Sequence, residues 1–212
     1  MNEYYTVKKE TEYTVVIEKS KFIAYIKSIE NEDDAKSYIE EIRKRHSLAN
    51  HSCYAFIADD KGLNQKFSDA GEPQGTAGLP ILNVLKNKRL YKTIAVVVRY
   101  FGGIKLGTGG LTRAYGGTVS ECIENAKISH MVEAVNYEIS TDYDGYSKLL
   151  LGVEKYGFTI IDTDFNEKVK VFVAVKNEDK CLKDFDKMVS DIFKGNKPYK
   201  ENAICYRDFG DK

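Results

Sequence analysis

Twenty-five residues, 93–117, constrain the chain more than any others. They run TIAVVVRYF, then GGIKLGTGG, then LTRAYGG. The first piece is an unbroken apolar, β-branched run, long enough only for a buried strand. The second is a glycine-rich loop. In the third, Leu111, Ala114, Tyr115, Val119, Cys122, Ile123 and Ala126 carry a helical period to about Ile128. A buried strand, a glycine loop and a helix N-terminus in succession form a recurrent phosphate cradle. Glycines let the backbone approach an anion, and the unpaired N–H groups of the helix start point toward it.

Charge sharpens that reading. Lys+Arg and Asp+Glu balance at 32 each over 212 residues, which argues against bulk-charge binding of nucleic acid. The distribution is uneven: residues 1–130 carry 19 basic and 16 acidic side chains, and residues 131–212 carry 13 and 16. Between Glu72 and Glu121 there is no acid at all, while Lys86, Lys88, Arg89, Lys92, Arg99, Lys105 and Arg113 lie inside that stretch. Such a surface concentrates anions. The competing reading is a buried segment with few charges, which seven cations weaken.

Elsewhere the pattern alternates strands and helices. Tyr13, Val15 and Ile17, then Phe22, Tyr25 (out of phase) and Ile29, read as strands with a break near Lys19–Ser20. Asn31 reads as an N-cap with Glu32, Asp33 and Asp34 in the first turn, before the stripe Ala35, Tyr38, Ile39, Ile42. CYAFIAD (53–59) is a strand, followed by a polar connection to Ser68 and a helix from near Gly78, where Pro80 is tolerable only in the first turn. The helix after the glycine loop is expected to start near Gly110, with Gly116 and Gly117 costing about 1 kcal/mol each relative to Ala, which suggests close packing on the neighbouring sheet. From 133 onward, VNYEIST, YSKLLLGVEKYG, FTIIDTD, KVKVFVAVK, KCLKDFDKMVSDIFKG and NAICYRDF spell β-α-β-β-α-β, the order of ferredoxin-like domains. The chain is therefore read as α+β, with a first domain over 1–130 and a second over 133–212.

The candidate anion site comprises Arg99, Gly102, Gly103, Lys105, Gly107, Gly109, Gly110 and Arg113. Three cations beside a positive helix end repel one another unless an anion or internal acids compensate them. Asp69 and Glu72, just before the acid-free stretch, either brace the loop by pairing with Arg99 and Arg113 or hold magnesium beside a bound phosphate. Bracing is the favoured of the two, and no other cofactor is indicated. The loop matches neither GxxxxGK[ST], since Thr108–Gly109 follows Gly107, nor GxGxxG, since Thr112 stands where the third glycine belongs. The plain alternative is a tight turn needing positive φ. His51 and Cys53 share a strand face and suggest a nucleophile pair, but core packing is favoured. Tyr100 and Phe101 are stacking candidates, of which at least one should be core. Ser68 and Thr76 need no more than capping and turn roles. Cys53, Cys122, Cys181 and Cys205 have no paired spacing, so neither zinc nor a disulfide framework is expected. The absence of a signal-like or membrane-length apolar run predicts a cytoplasmic chain with no membrane partner.

FSDAGEPQGTAGLPIL and VVVRYFGGIKLGTGGLTRAYG together resemble the signature of the IMPACT/YigZ family, and the resemblance covers the whole chain. The matching positions are Asp69, Gly71, Glu72, Pro73, Gly75, Thr76 and Gly78, then Arg99, Tyr100, Gly102, Gly103, Gly107, Gly109, Gly110, Leu111 and Tyr115. Ala70 stands where the family usually has a second Asp. The resemblance implies a first domain like domain 2 of ribosomal protein S5 and a second like the last domain of elongation factor G. It also implies a link to translation. The eukaryotic members' N-terminal partner-binding domain is not expected here, so their mode of regulation is not carried over.

These readings converge on a non-catalytic regulator or accessory factor of translation that binds RNA or ribosome-associated phosphates through the glycine-rich basic loop, with a translation-related protein as a further expected partner. The balance of motifs is against an enzyme. The alternatives are an enzyme on a small phosphorylated substrate or nucleotide, and a protein-interaction module in which the acids satisfy the arginines.

Overall fold

The computed structural model describes residues 3–210; positions 1–2 and 211–212 of the two expected domains lie outside them. It is an α+β protein that divides into two compact units, Tyr4–Ser129 and a second running from His130 with Glu3.

In the first unit, β1 (Glu3–Val7) is tied through Tyr5 to the backbone of Arg89 and Tyr91. The main sheet is antiparallel, in the order β2 (Thr11–Ile17), β3 (Ser20–Ser28), β6 (Thr93–Tyr100), β4 (His51–Ile57), β5 (Gln65–Ser68). Helix α1 (Glu32–Arg45) lies on one face, and α2 (Gly78–Asn87) and α3 (Gly107–Glu124) pack on the other. Strand β6 is buried on both faces because its two sets of side chains serve different cores. Ala95 and Val97 meet α2 and α3; Ile94, Val96 and Val98 meet α1. An alternating strand cannot satisfy two apolar layers without being apolar throughout.

The Asn31 cap forms as expected, its side chain accepting from the N–H groups of Asp33 and Asp34 at 2.9 and 3.0 Å. Three expectations are corrected. Helix α3 starts at Gly107 rather than Gly110, and ends at Glu124 rather than near Ile128, which already belongs to β7. The connection before Ser68 contains β5, an exposed edge strand whose polar residues show no alternation. Gly116 faces α2, where an added Cβ would meet Pro80 and Val84 at 3.8 Å, and Gly117 faces open space, so neither packs on the sheet.

The second unit runs β7 (Ile128–Thr141), α4 (Tyr143–Tyr156), β8 (Thr159–Phe165), β9 (Val169–Lys176), α5 (Asp179–Ile192), β10 (Tyr199–Asp208). Its strands pair antiparallel in the order β10-β7-β9-β8. Val169, Val171, Val173 and Val175 line one face of β9 and bury against Leu149 and Val153 of α4 and Phe185, Met188 and Val189 of α5. Gly157 closes α4 in the left-handed region at φ 70°.

Candidate functional site: a braced glycine loop

Register places the site. Arg99 stands opposite Phe22 on β3 and His51 on β4. It therefore shares the face of Val97 and Cys53, beneath α2 and α3. Arg99 is 5% exposed, with Cζ 5.3 Å from the ring centres of both Phe22 and Phe101. Its Nη1 donates to Glu72 Oε1 at 2.8 Å, and Nη2 donates to Ser20 Oγ at 3.2 Å. The Tyr115 hydroxyl, from α3, donates to the same Glu72 oxygen at 2.7 Å, and His51 Nε2 lies 3.9 Å from Oε2. Glu72 thus joins the segment before α2 to β6 and α3 in one buried cluster. Burial, reinforced by Cys53 and Glu72, drives the Tyr115 phenol well above its ordinary pKa, so it stays a donor.

Asp69 has a different task. Its carboxylate accepts from Gly75 N–H at 2.8 Å and from Ala77 and Gly78 N–H at 2.9 Å each. It does what the residue at the N-cap position, Ala77, cannot do without a side-chain oxygen. Burial pushes its pKa up, but the three N–H donors prevail and hold it below the usual carboxylate value. The expectation that Asp69 pairs with an arginine is corrected: Glu72 pairs with Arg99, while Asp69 caps α2. Both carboxylates are engaged by protein donors, the geometry that bracing of the loop requires.

The loop itself is held by close backbone approach. A Cβ on Gly102 would lie 1.9 Å from the Lys19 carbonyl oxygen, so only glycine fits against the β2–β3 turn. Gly102 N–H donates to Ser20 Oγ at 3.2 Å, and Phe101 N–H donates to Asn50 Oδ1 at 2.8 Å. Gly103 and Gly107 take φ of +87° and +67° with open space around them. Gly109 and Gly110 fall in the first turn of α3.

Of the three cations assigned to the loop, Arg99 is not on its surface; the partners that fix it are internal. Lys105 and Arg113 are exposed. With Ile17, Glu18, Ile104, Leu106, Gly110 and Ala114 they line a groove of about 480 Å³ at the start of α3. That helix has no side-chain cap and no acid in its first turn. The groove therefore carries two exposed cations and one acid, Glu18, beside the uncapped start of α3.

The other candidates resolve into structure. Cys53 is fully buried and donates to the Asp69 carbonyl at 2.9 Å; burial pushes its thiol up to about 12, which removes it as a nucleophile. His51 Nδ1 contacts the Ala70 carbonyl at 3.0 Å. Tyr100 turns to the α1 face, where its hydroxyl meets His46 Nδ1 at 2.9 Å, whereas Phe101 is 45% exposed. Sequence reasoning missed Ser20 and Tyr115 as partners of the cluster. The signal for Tyr115 was its place in the loop motif; nothing in the sequence pointed to Ser20.

An α+β chain with a braced glycine loop defines a class of fold, and the comparisons specify the family. A family model described as the Impact N-terminal domain matches residues 18–123. The chain is 37% identical over 206 residues to the IMPACT family member YvyE of Bacillus subtilis (strain 168), covering 97% of this chain and 94% of that one. It is 35% identical over 161 residues to the IMPACT family member YigZ of Escherichia coli (strain K12), covering 75% and 79%. A crystal structure titled as that of a hypothetical protein shares the fold at a TM-score of 0.61 and 30% identity, covering 96% of this chain and 98% of that one. The chain belongs to the IMPACT family.

Proposed function

We propose that this protein is a non-catalytic accessory factor or regulator of translation that grips RNA or ribosome-associated phosphates at the start of α3. Gly102, Gly103, Gly107, Gly109 and Gly110 allow close backbone approach, and Lys105 and Arg113 supply the exposed charge. Exposed Phe101 offers a ring on which a base stacks. One observation carries the reading: a helix N-terminus with neither cap nor first-turn acid opens onto a groove where two cations, Lys105 and Arg113, outnumber the one acid, Glu18. Among the described residues neither Lys105 nor Arg113 is ion-paired, which leaves both charges available to an external anion.

The link to translation comes from the family resemblance, an argument by analogy. It is accompanied by reading the first unit as S5 domain 2-like and the second as ferredoxin-like, which the strand order β10-β7-β9-β8 supports. A cytoplasmic location belongs to the same proposal. The protein-interaction alternative draws on one observation, the internal Glu72–Arg99 pair, but it leaves Arg113 unexplained.

The test is anisotropy of a labelled single-stranded RNA with wild type and Lys105→Glu, at about 50 and 200 mM salt, with ATP–magnesium as competitor. Salt-sensitive binding that the variant loses and ATP does not displace is expected. Binding insensitive to salt contradicts the proposal, and complete displacement by ATP turns it toward a small-molecule enzyme.

A further inference from the structure

A second recess lies in the unit that starts at His130 and uses none of the loop residues. Its volume is about 430 Å³, within the usual range for small-molecule sites. The turn that closes α4 at Gly157 places Tyr156 and Phe158 on either side of it, with ring planes 4° apart and centres 5.9 Å apart. Phe158 is fixed from the core by an edge contact with Phe185 at 5.8 Å and 72°. Phe209 lines the same recess, with Lys176 Nζ 5.4 Å from its ring centre. Asp208 and His130 complete the polar lining; Asp208 Oδ1 accepts from Gly210 N–H at 2.9 Å, and His130 Nε2 lies 2.9 Å from Glu3 Oε2. Cys181 is also present, but burial and then Glu178 raise its thiol above the ordinary value, so the recess is equipped to bind rather than to react.

The lining selects a ligand class. Three aromatic rings offer flat apolar faces, which an aliphatic ligand has no use for. A bare phosphate would need more permanent cations than Lys176. A planar heterocycle bearing a single anionic tail matches the rings and the one ammonium together. We propose that this recess binds a nucleobase with its phosphate. The rings stack on the base, and Lys176 contacts the phosphate. The same chemistry comes either from a free mononucleotide or from one nucleotide of an RNA strand.

The experiment uses the ¹⁵N-labelled full chain and follows the amides of Gly157 and Gly210. The probes are adenosine 5′-monophosphate, uridine 5′-monophosphate, an eight-residue oligoadenylate and ribose 5-phosphate. The variants are Lys176→Gln and Phe209→Ala, with Lys148→Gln on α4 as control. Saturable shifts with a mononucleotide, weakened roughly tenfold by either recess variant and unchanged by the control, are expected and identify a free nucleotide as ligand. The same pattern with the oligonucleotide alone supports the site and identifies an RNA strand as its source. The proposal is overturned if no probe moves these amides, if ribose 5-phosphate moves them as strongly as the nucleotides, or if both recess variants bind like wild type.

Discussion

Two helix N-termini lie in the same acid-free stretch and are finished in opposite ways. Helix α2 begins at Gly78 with its free N–H groups gathered onto the Asp69 carboxylate. Helix α3 begins at Gly107 with no side-chain acceptor and no acid in its first turn, and its exposed flank carries Lys105 and Arg113. The pattern repeats for the arginines: Arg99 is buried against Glu72, and Arg113 is left outside. Compensation inside the protein serves folding; the open end of α3 is where the proposal places an external anion. Changes at the α2 end should therefore move stability, and changes at the α3 end should move binding.

The largest effect expected is from Glu72→Ala. It strands a buried guanidinium and removes the Tyr115 acceptor, so urea denaturation should show a loss of about 3–5 kcal/mol. Equal stability of this variant and wild type would dissolve the inner half of the comparison. Asp69→Ala should cost about 2 kcal/mol through loss of the cap. Because the Asp69 pKa is lowered on folding, its contribution is present above the unfolded value and lost as pH falls through the folded one. Wild type should therefore lose stability on acidification below about pH 4 more steeply than Asp69→Asn. Parallel pH curves for the two would contradict the capping role.

On the other side, Arg113→Gln should leave stability within about 0.5 kcal/mol of wild type while weakening RNA binding and lowering the salt slope by about one. A folding defect there would mean that Arg113 braces the fold after all. Smallest is Gly117→Ala, at an exposed helical position where an added Cβ meets nothing within 4 Å. A gain of about 0.5–1 kcal/mol is expected by thermal melting, with binding unchanged. Loss of binding instead would show that the glycine serves the ligand.

The sequence made some of this legible and hid the rest for physical reasons. Strand β6 was readable because burial on both faces leaves only apolar residues, and the Asn31 cap because its partners are local. The start of α3 was placed three residues late, since glycines argue against a helix even where the backbone makes one. The division of labour between Asp69 and Glu72 was not legible. Asp69 reaches N–H groups six, eight and nine residues on, and Glu72 reaches Arg99 across 27 positions, contacts that only the packed sheet and helices define. One signal was available: Ala77 has no side-chain acceptor, so the helix after it needed a cap from elsewhere. The neighbour of Gly116 was misplaced because the helical period shows that a face is covered, not what covers it.

The most direct test is Thr108→Asp, which gives α3 the first-turn acid that it lacks. Thr108 is exposed, so the change alters charge rather than packing. Stability should rise by about 0.5 kcal/mol through the helix dipole, while salt-sensitive RNA binding falls, because the new carboxylate occupies the place and repels the phosphate. A stabilised variant that binds RNA as well as wild type would contradict the claim that α3 is left open for an external anion.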